Sequence, residues 1–256
     1  MGAFRFHGRA GHRCRLAHPL GRCRVEHVGH RSILVRTHTL VSITAPGVGL
    51  APYGYAVGTP LDFARLREAA ADATELVIED ADWTEVDLTL GHRGTTEAGW
   101  DQLRSAVARY APPGTDRAGL HSLGTALARR LDETDDADPT LVRHLVGAGP
   151  GSTPTGDDIL VGLQAALLLR GRADAHARLS ATIAPLADRT TELSRTLLAA
   201  AADGVFADFV IGLADAAGQP AHAERAAARA VRVGASTGLD TTTAMLHPFS
   251  DRKGPR

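Results

Sequence analysis

The sequence predicts an α+β protein: an N-terminal β-rich part, made of short strands or a small barrel-like sheet, followed by a C-terminal α-helical bundle. Three observations predict it. Residues 32–43 are β-branched and partly alternating, as a half-buried strand or hairpin is. After Trp100 the apolar residues Leu103, Val107 and Tyr110 recur at helical spacing. From Ile159 onward the chain reads as helix almost throughout, with Gly, Pro and Asp separating the segments.

In chain order, residues 1–30 form a leader rich in arginine and histidine, expected to be a basic, partly disordered extension. It holds Cys14, His18, Cys23 and His27 in the pattern Cys-x3-His-x4-Cys-x3-His. Such ligands can hold zinc, but the even spacing and the sparse apolar content favour a plain basic tail. Residues 31–95 are the expected β-rich subdomain. The strand at 32–43 ends at Ala45-Pro46-Gly47, short strands follow at 53–57, 75–79 and 86–90, and one helix at 62–70 is capped by Asp62. Residues 96–250 are the expected helical domain. A helix from Trp100 is stopped by Pro112-Pro113-Gly114, a second covers 120–131, and the acidic run 132–138 reads as a solvated linker before a helix at 139–146. Further helices are expected at 159–170, 173–186, 191–202, 208–217 and 221–233. Their alanine content suits close packing.

The bulk composition removes several function classes. A formal net charge of -1 gives no general basic field, so nucleic acid is not an expected partner and anion recognition has to be local. No apolar run approaches the roughly 20 residues that span a bilayer, and residues 1–30 lack the apolar core of a secretory signal. The expectation is a cytoplasmic protein with no membrane partner.

The chemistry concentrates in Gly147-Ala148-Gly149-Pro150-Gly151-Ser152-Thr153-Pro154-Thr155-Gly156-Asp157-Asp158, which runs directly into a helix-forming segment. Glycines let a backbone aim its N–H groups at one point, and a helix N-terminus adds positive potential there, which suits phosphate or carboxylate. Gly149, Gly151, Ser152, Thr153 and Gly156 are the candidate anion-binding residues of this turn. Thr155, Asp157 and Asp158 are candidate catalytic residues, the carboxylates being able to orient a substrate amide, act as a base or hold Mg²⁺. The alternative is a capped turn in which Thr155 or Asp157 satisfies free helix N–H groups, but that needs far fewer special residues. The ending is not that of a Walker A loop, and Gly147-x-Gly149-x-Gly151 is not the dinucleotide-binding spacing.

A second turn, Gly234-Ala235-Ser236-Thr237-Gly238-Leu239-Asp240, has a similar composition. Ser236, Thr237 and Gly238 join the candidate anion-binding residues and Asp240 the catalytic ones, and the two turns are able to face one pocket. A third segment, 190–195, offers Ser194 and Arg195 as anion ligands, with an ordinary surface helix as its alternative. His92, His121, His144 and His247 are scattered without metal-ligand spacing, and no Gly-x-Ser-x-Gly elbow occurs.

The long motif 149–162 together with 234–240 resembles the AllH-type family, whose best-known member is a subunit of oxamate carbamoyltransferase. The family pattern runs approximately Gly-x-Gly-x-Gly-Leu-Thr-Pro-Ser-Gly-Asp-Asp-x-Leu-x-Gly. Here Ser152 replaces the leucine and Thr155 the serine, which preserves the hydroxyl set, while Thr242-Thr243 stand where the family tends to Ala-Gly. With weaker agreement at Asp62-Phe63, Ala98-Gly99-Trp100, Thr191 and Ser194, the resemblance covers roughly residues 28–246. It implies a small-molecule carbamoyl-transfer system that uses carbamoyl phosphate and works with other enzyme subunits. The expected function is therefore a carbamoyltransferase-like enzyme or subunit acting on a small carboxylate or amide metabolite, with Mg²⁺ as the one cofactor suggested. The alternatives are a non-catalytic metabolite-binding or scaffold subunit, and ATP-dependent phosphotransfer.

Overall fold

The computed structural model describes residues 4–11, 20–79, 83–91, 93–110, 118–247 and 249. The chain divides into two compact units, Met1–Leu88 and Thr89–Arg256.

The first unit is built on a seven-stranded mixed sheet: β1 Gly8–Gly11, β2 Arg22–Val28, β3 Ser32–Arg36, β4 Leu40–Thr44, β5 Gly54–Val57, β6 Glu75–Val77 and β7 Trp83–Val86, in the order β6-β2-β3-β4-β5-β1-β7. Strands β2, β3 and β4 form an antiparallel meander, while β4/β5 and β1/β7 are parallel. Helix α1, Pro60–Ala71, has Thr59 as its N-cap and buries Phe63, Leu66 and Ala70. These join Ile33, Val35, Val41, Ile43, Tyr55 and Leu76 in one core.

Two expectations for this part need correction. The sheet is open, with β6 and β7 at its edges, and does not close into the small barrel expected from its many short strands. The leader is not wholly a disordered extension, because it supplies β1 and β2. Arg22-Cys23-Arg24 alternates out-in-out: Cys23 is buried, and Arg22 pairs with Glu75 at 3.0 Å on the solvent side. Glycine admits β1 between its neighbours, since a Cβ at Gly8 would lie 2.2 Å from the Ala56 carbonyl oxygen. Cys14 and His18 of the zinc alternative lie outside the described residues. Cys23 is a core residue whose Sγ lies 3.6 Å from the Leu76 carbonyl, and burial pushes its thiol up to about 11.

The second unit is helical: α2 Glu97–Ala108, α3 Ala118–Thr134, α4 Pro139–Leu145, α5 Thr155–Leu169, α6 Ala173–Ile183, α7 Glu192–Ala202, α8 Asp208–Gly218, α9 Ala223–Ala230 and α10 Thr237–Met245. Thr89 and Leu90 are tied to it, Leu90 N donating to the Gly204 carbonyl at 2.8 Å. Helix α5 is buried on nearly all sides, which explains its almost unbroken apolar sequence from Ile159 to Leu169. Leu160, Leu163 and Leu167 pack with residues of α3, α4 and α6. Against α10 the approach is close enough to require Gly162, where a Cβ would lie 2.2 Å from the Thr241 carbonyl oxygen.

The acidic run is more than the solvated linker its charge suggests. Asp138 caps α4, accepting from Thr140 N at 2.8 Å, while Asp132 and Asp135 grip the buried Arg172 guanidinium, which also donates to the Leu131 carbonyl. A buried cation demands such partners. Among the described residues no helix is long and apolar enough to cross a membrane.

The contact of α2 with α8 gives a test of this packing. A Cβ at Gly99 would sit 1.9 Å from the Ala217 carbonyl oxygen. Gly99→Ala is therefore expected to destabilise the fold by about 1–3 kcal/mol of overpacking, even though alanine is the better helix former by nearly 1 kcal/mol. The change is read as a lower midpoint in urea unfolding, and an unchanged or higher midpoint would contradict the tight approach.

Candidate functional site

Both glycine turns lead into helix N-termini, and the close packing of α5 on α10 brings those two ends together. Thr153 and Thr237 hydroxyls lie 2.7 Å apart across the junction, and the Thr155 hydroxyl donates to Asp240 Oδ2 at 3.2 Å. Each helix carries acid in its first turn, Asp157 and Asp158 on α5 and Asp240 on α10. The positive ends of helices favour carboxylates at such positions.

The three aspartates have different surroundings. Asp157 is tied into the scaffold: Gly147 N donates to its Oδ1 at 2.9 Å, and the Thr190 hydroxyl donates to Oδ2. Burial raises its pKa, and the bonds from Thr190 and Gly147 oppose the rise. Asp240, 1% exposed, is held by Thr155 on one oxygen and by His121 Nε2 of α3 at 2.9 Å on the other. Asp158 is 2% exposed, and its Oδ2 makes no hydrogen bond. Burial first, and then the nearby charge of Asp240, push its pKa to about 9 against the opposing influence of the Thr237 hydroxyl. Asp158 is thus a neutral carboxylic acid at pH 7, able to donate a proton or hydrogen bond from an otherwise dry position.

The remaining predicted residues separate by role. Gly149 and Gly151 have φ of 115° and 97°, which only glycine adopts readily, and residues 149–152 are the exposed crest of the turn. Gly156 and Gly238 are packing residues: a Cβ at Gly156 would meet the Leu145 carbonyl oxygen at 2.0 Å, and one at Gly238 the Ala230 carbonyl oxygen at 1.7 Å. Ser152 offers its carbonyl to the Thr191 hydroxyl at 2.6 Å, which stitches the turn to the N-cap of α7. Ser194 is buried in the first turn of α7. Ser236 occupies the N-cap of α10 without a side-chain capping bond. Arg195 is exposed and directed to Asp188 at 3.1 Å, so it is not gathered into the carboxylate cluster. Thr242 is buried and bonds back to the Gly238 carbonyl, a satisfied position in place of the small pair usual in the resembled family.

Many of the turn's backbone amides already have partners. Those of Gly147, Ala148, Gly156, Asp157 and Asp158 donate to Asp157 Oδ1 and to the Leu145, Ala148, Pro154 and Pro154 carbonyls respectively. Those amides are therefore committed to the fold, while Thr153, Thr155, Thr237 and Asp240 meet through their side chains at the junction. Among the described residues no group of three or more His, Cys, Asp or Glu side chains is placed to hold a metal ion.

His121 lies 119 positions from Asp240, and no spacing in the sequence marks it as that residue's partner. Thr190 was visible only as one hydroxyl among several, and its bond to Asp157 comes from the 3₁₀ segment Ala184–Arg189 that delivers it.

Residues 145–248 match the model of the family described as oxamate carbamoyltransferase subunit AllH. The matched span begins at the end of α4 and includes both glycine turns, so the AllH-type resemblance is shown over the part of the chain that carries the site. Neither curated proteins nor solved structures provide a match.

The raised Asp158 pKa fixes the sign of a pH effect. Between the ordinary value of 3.8 and about 9 the folded protein retains a proton that the unfolded chain loses, so this group makes stability fall as pH rises through that interval. Asp158→Asn is expected to remove a negative slope of up to about 1.4 kcal/mol per pH unit and to be relatively more stable at pH 8 than at pH 4. Urea unfolding of both proteins at several pH values measures it, and parallel pH curves would show that Asp158 is not held neutral by the fold.

Proposed function

We propose that this chain is a subunit of a carbamoyl-transferring enzyme for a small carboxylate- or amide-bearing metabolite, and that Asp158, Asp240 and His121 mark the place where the carbamoyl group is handled. The observation that carries the reading is Asp158: a buried carboxyl with an unbonded oxygen, kept protonated between the first turns of two helices. Buried carboxylates with a structural role are normally satisfied by the fold, and Asp157 is, through the Gly147 amide and the Thr190 hydroxyl. Asp158 is left with capacity for a guest. The family description matched by residues 145–248 supplies the chemical class.

In this reading carbamoyl phosphate is the donor. Asp158 donates its hydrogen bond to the carbamoyl oxygen, where negative charge develops as a nitrogen nucleophile attacks the carbon. The Thr153 and Thr237 hydroxyls orient the group, and the exposed crest 149–152 leaves room for the phosphate side of the donor. A new C–N bond forms, the C–O bond to phosphate breaks, and the proton lost by nitrogen passes to the Asp240–His121 pair. Loss of one preorganised donor of this kind typically lowers turnover by about 10²- to 10³-fold. A phosphorylated donor sets the activity in the cytoplasm. The suggested Mg²⁺ would have to be brought in with the donor's phosphate, given the ligand set of the cluster.

The word subunit in the family description supports a second reading, in which the chain binds the metabolite and a partner subunit completes the reaction. Carbamoyl transfer from carbamoyl phosphate to oxamate, followed as phosphate release with the chain alone and with its partner subunits, separates the two. Asp158→Ala is expected to cut turnover about 10²-fold or more and Asp158→Asn less, because the amide retains a donor. Full turnover by a folded Asp158→Ala protein in the complete assembly would falsify the site assignment.

A further inference from the structure

Helix α3 presents a groove of about 370 Å³ lined by His121, Ser122, Thr125, Ala126 and Arg129. His121, Thr125 and Arg129 follow one another at i, i+4 and i+8, so they form a stripe along one side of the helix. The floor is small: Ser122 is turned onto its own helix, its hydroxyl donating to the Ala118 carbonyl at 2.8 Å, and Ala126 ends at Cβ. At the upper end His121 touches both the groove and the buried cluster, because the same ring bonds Asp240 Oδ1 at 2.9 Å. At the lower end stands Arg129, exposed and, among the described residues, with no carboxylate partner. That sets it apart from its neighbour Arg130, which pairs with Asp136, and from Arg172, gripped by Asp132 and Asp135.

We infer that this groove is the acceptor subsite: it takes a short carboxylate-bearing amide or amine, with the carboxylate on Arg129 and the nucleophilic nitrogen directed to His121. The inference rests on the proposed carbamoyl-transfer reading and adds to it the place and polarity of acceptor binding. Geometry sets the size of the guest. Eight residues of helix rise about 12 Å, and because both side chains lean toward the N-terminus only the greater length of the arginine arm shortens that separation, so the guest lies along the helix between the two ends. A guanidinium recognises a carboxylate by paired N–H donors, whereas a neutral amide offers it one weak acceptor. Arg129 is therefore a specificity-determining residue for the charged end of the acceptor. His121, facing the nitrogen at the other end, connects that nitrogen to Asp240.

The test uses the full chain and reads binding apart from turnover. Oxamate is titrated into the wild-type protein, Arg129→Gln and Arg129→Lys, with calorimetry for affinity and the His121 ring resonances as a local reporter, and the neutral analogue oxamide is titrated in parallel. The expected result is oxamate binding that shifts the His121 signals, weakened about ten- to hundredfold by Arg129→Gln and less by Arg129→Lys, while oxamide gains nothing from Arg129. No oxamate binding by the wild type, equal affinity in Arg129→Gln, or binding that leaves the His121 signals unmoved overturns the subsite. Carbamoyl phosphate binding, measured on the same proteins and on Asp158→Ala, separates the two ideas. If donor binding is lost in Asp158→Ala but oxamate is indifferent to Arg129, the subsite fails and the carbamoyl-transfer reading stands. If neither substitution alters either ligand, both fail.

Discussion

The arrangement depends on one close contact between two helices. Gly162 lets α5 settle against α10 at the Thr241 carbonyl, nearer than any side chain would permit. Because the packing is this tight, the N-termini of both helices arrive at one spot, and acids separated by more than eighty residues in sequence become neighbours. Close approach is a backbone property, yet its result here is electrostatic. Two positive helix ends support negative charge locally, but burial and mutual repulsion limit how much of it three aspartates can carry.

The molecule resolves that conflict by dividing roles. Asp157 is consumed by the scaffold through Gly147 and Thr190, and Asp240 is shared between Thr155 and His121. Asp158, left with the poorest set of partners, retains its proton. One carboxyl that donates beside another that accepts is the kind of asymmetry acid–base chemistry uses. It also costs stability, since an unsatisfied buried oxygen is an expense a purely structural turn would avoid.

The α+β class was legible because its periodicities are local: residues 32–43 partly alternate, and 159–169 are apolar except at Gly162 and Gln164. The two glycine turns were legible for the same reason, as their unusual residues are adjacent in sequence. Long-range pairing was not. The strand character of Arg22–Val28 was masked by its charges, although the out-in-out alternation around Cys23 carried the information. The acidic run 132–138 read as solvated because its cation, Arg172, lies in a different helix, and His121 was passed over because its partner belongs to α10. Arg195 shows the converse, a plausible anion ligand by its position beside Ser194 that is drawn away by Asp188 at the end of a 3₁₀ turn. Glycine roles divided similarly: Gly149 and Gly151 serve the turn's path, whereas Gly156 and Gly238 make room for backbone from other elements, a distinction invisible before the chain is folded.

The bond from Gly147 N to Asp157 Oδ1 spans the base of the glycine turn, and Thr191 fastens its far side through the Ser152 carbonyl. A segment with so much glycine would ordinarily surrender considerable freedom on meeting a guest. Anchored at both ends before anything arrives, this one has little left to surrender. Under the proposed carbamoyl-transfer function, recognition at the crest would then be quick and shape-selective, with the glycines setting the curvature and the anchors withholding the floppiness that usually comes with it.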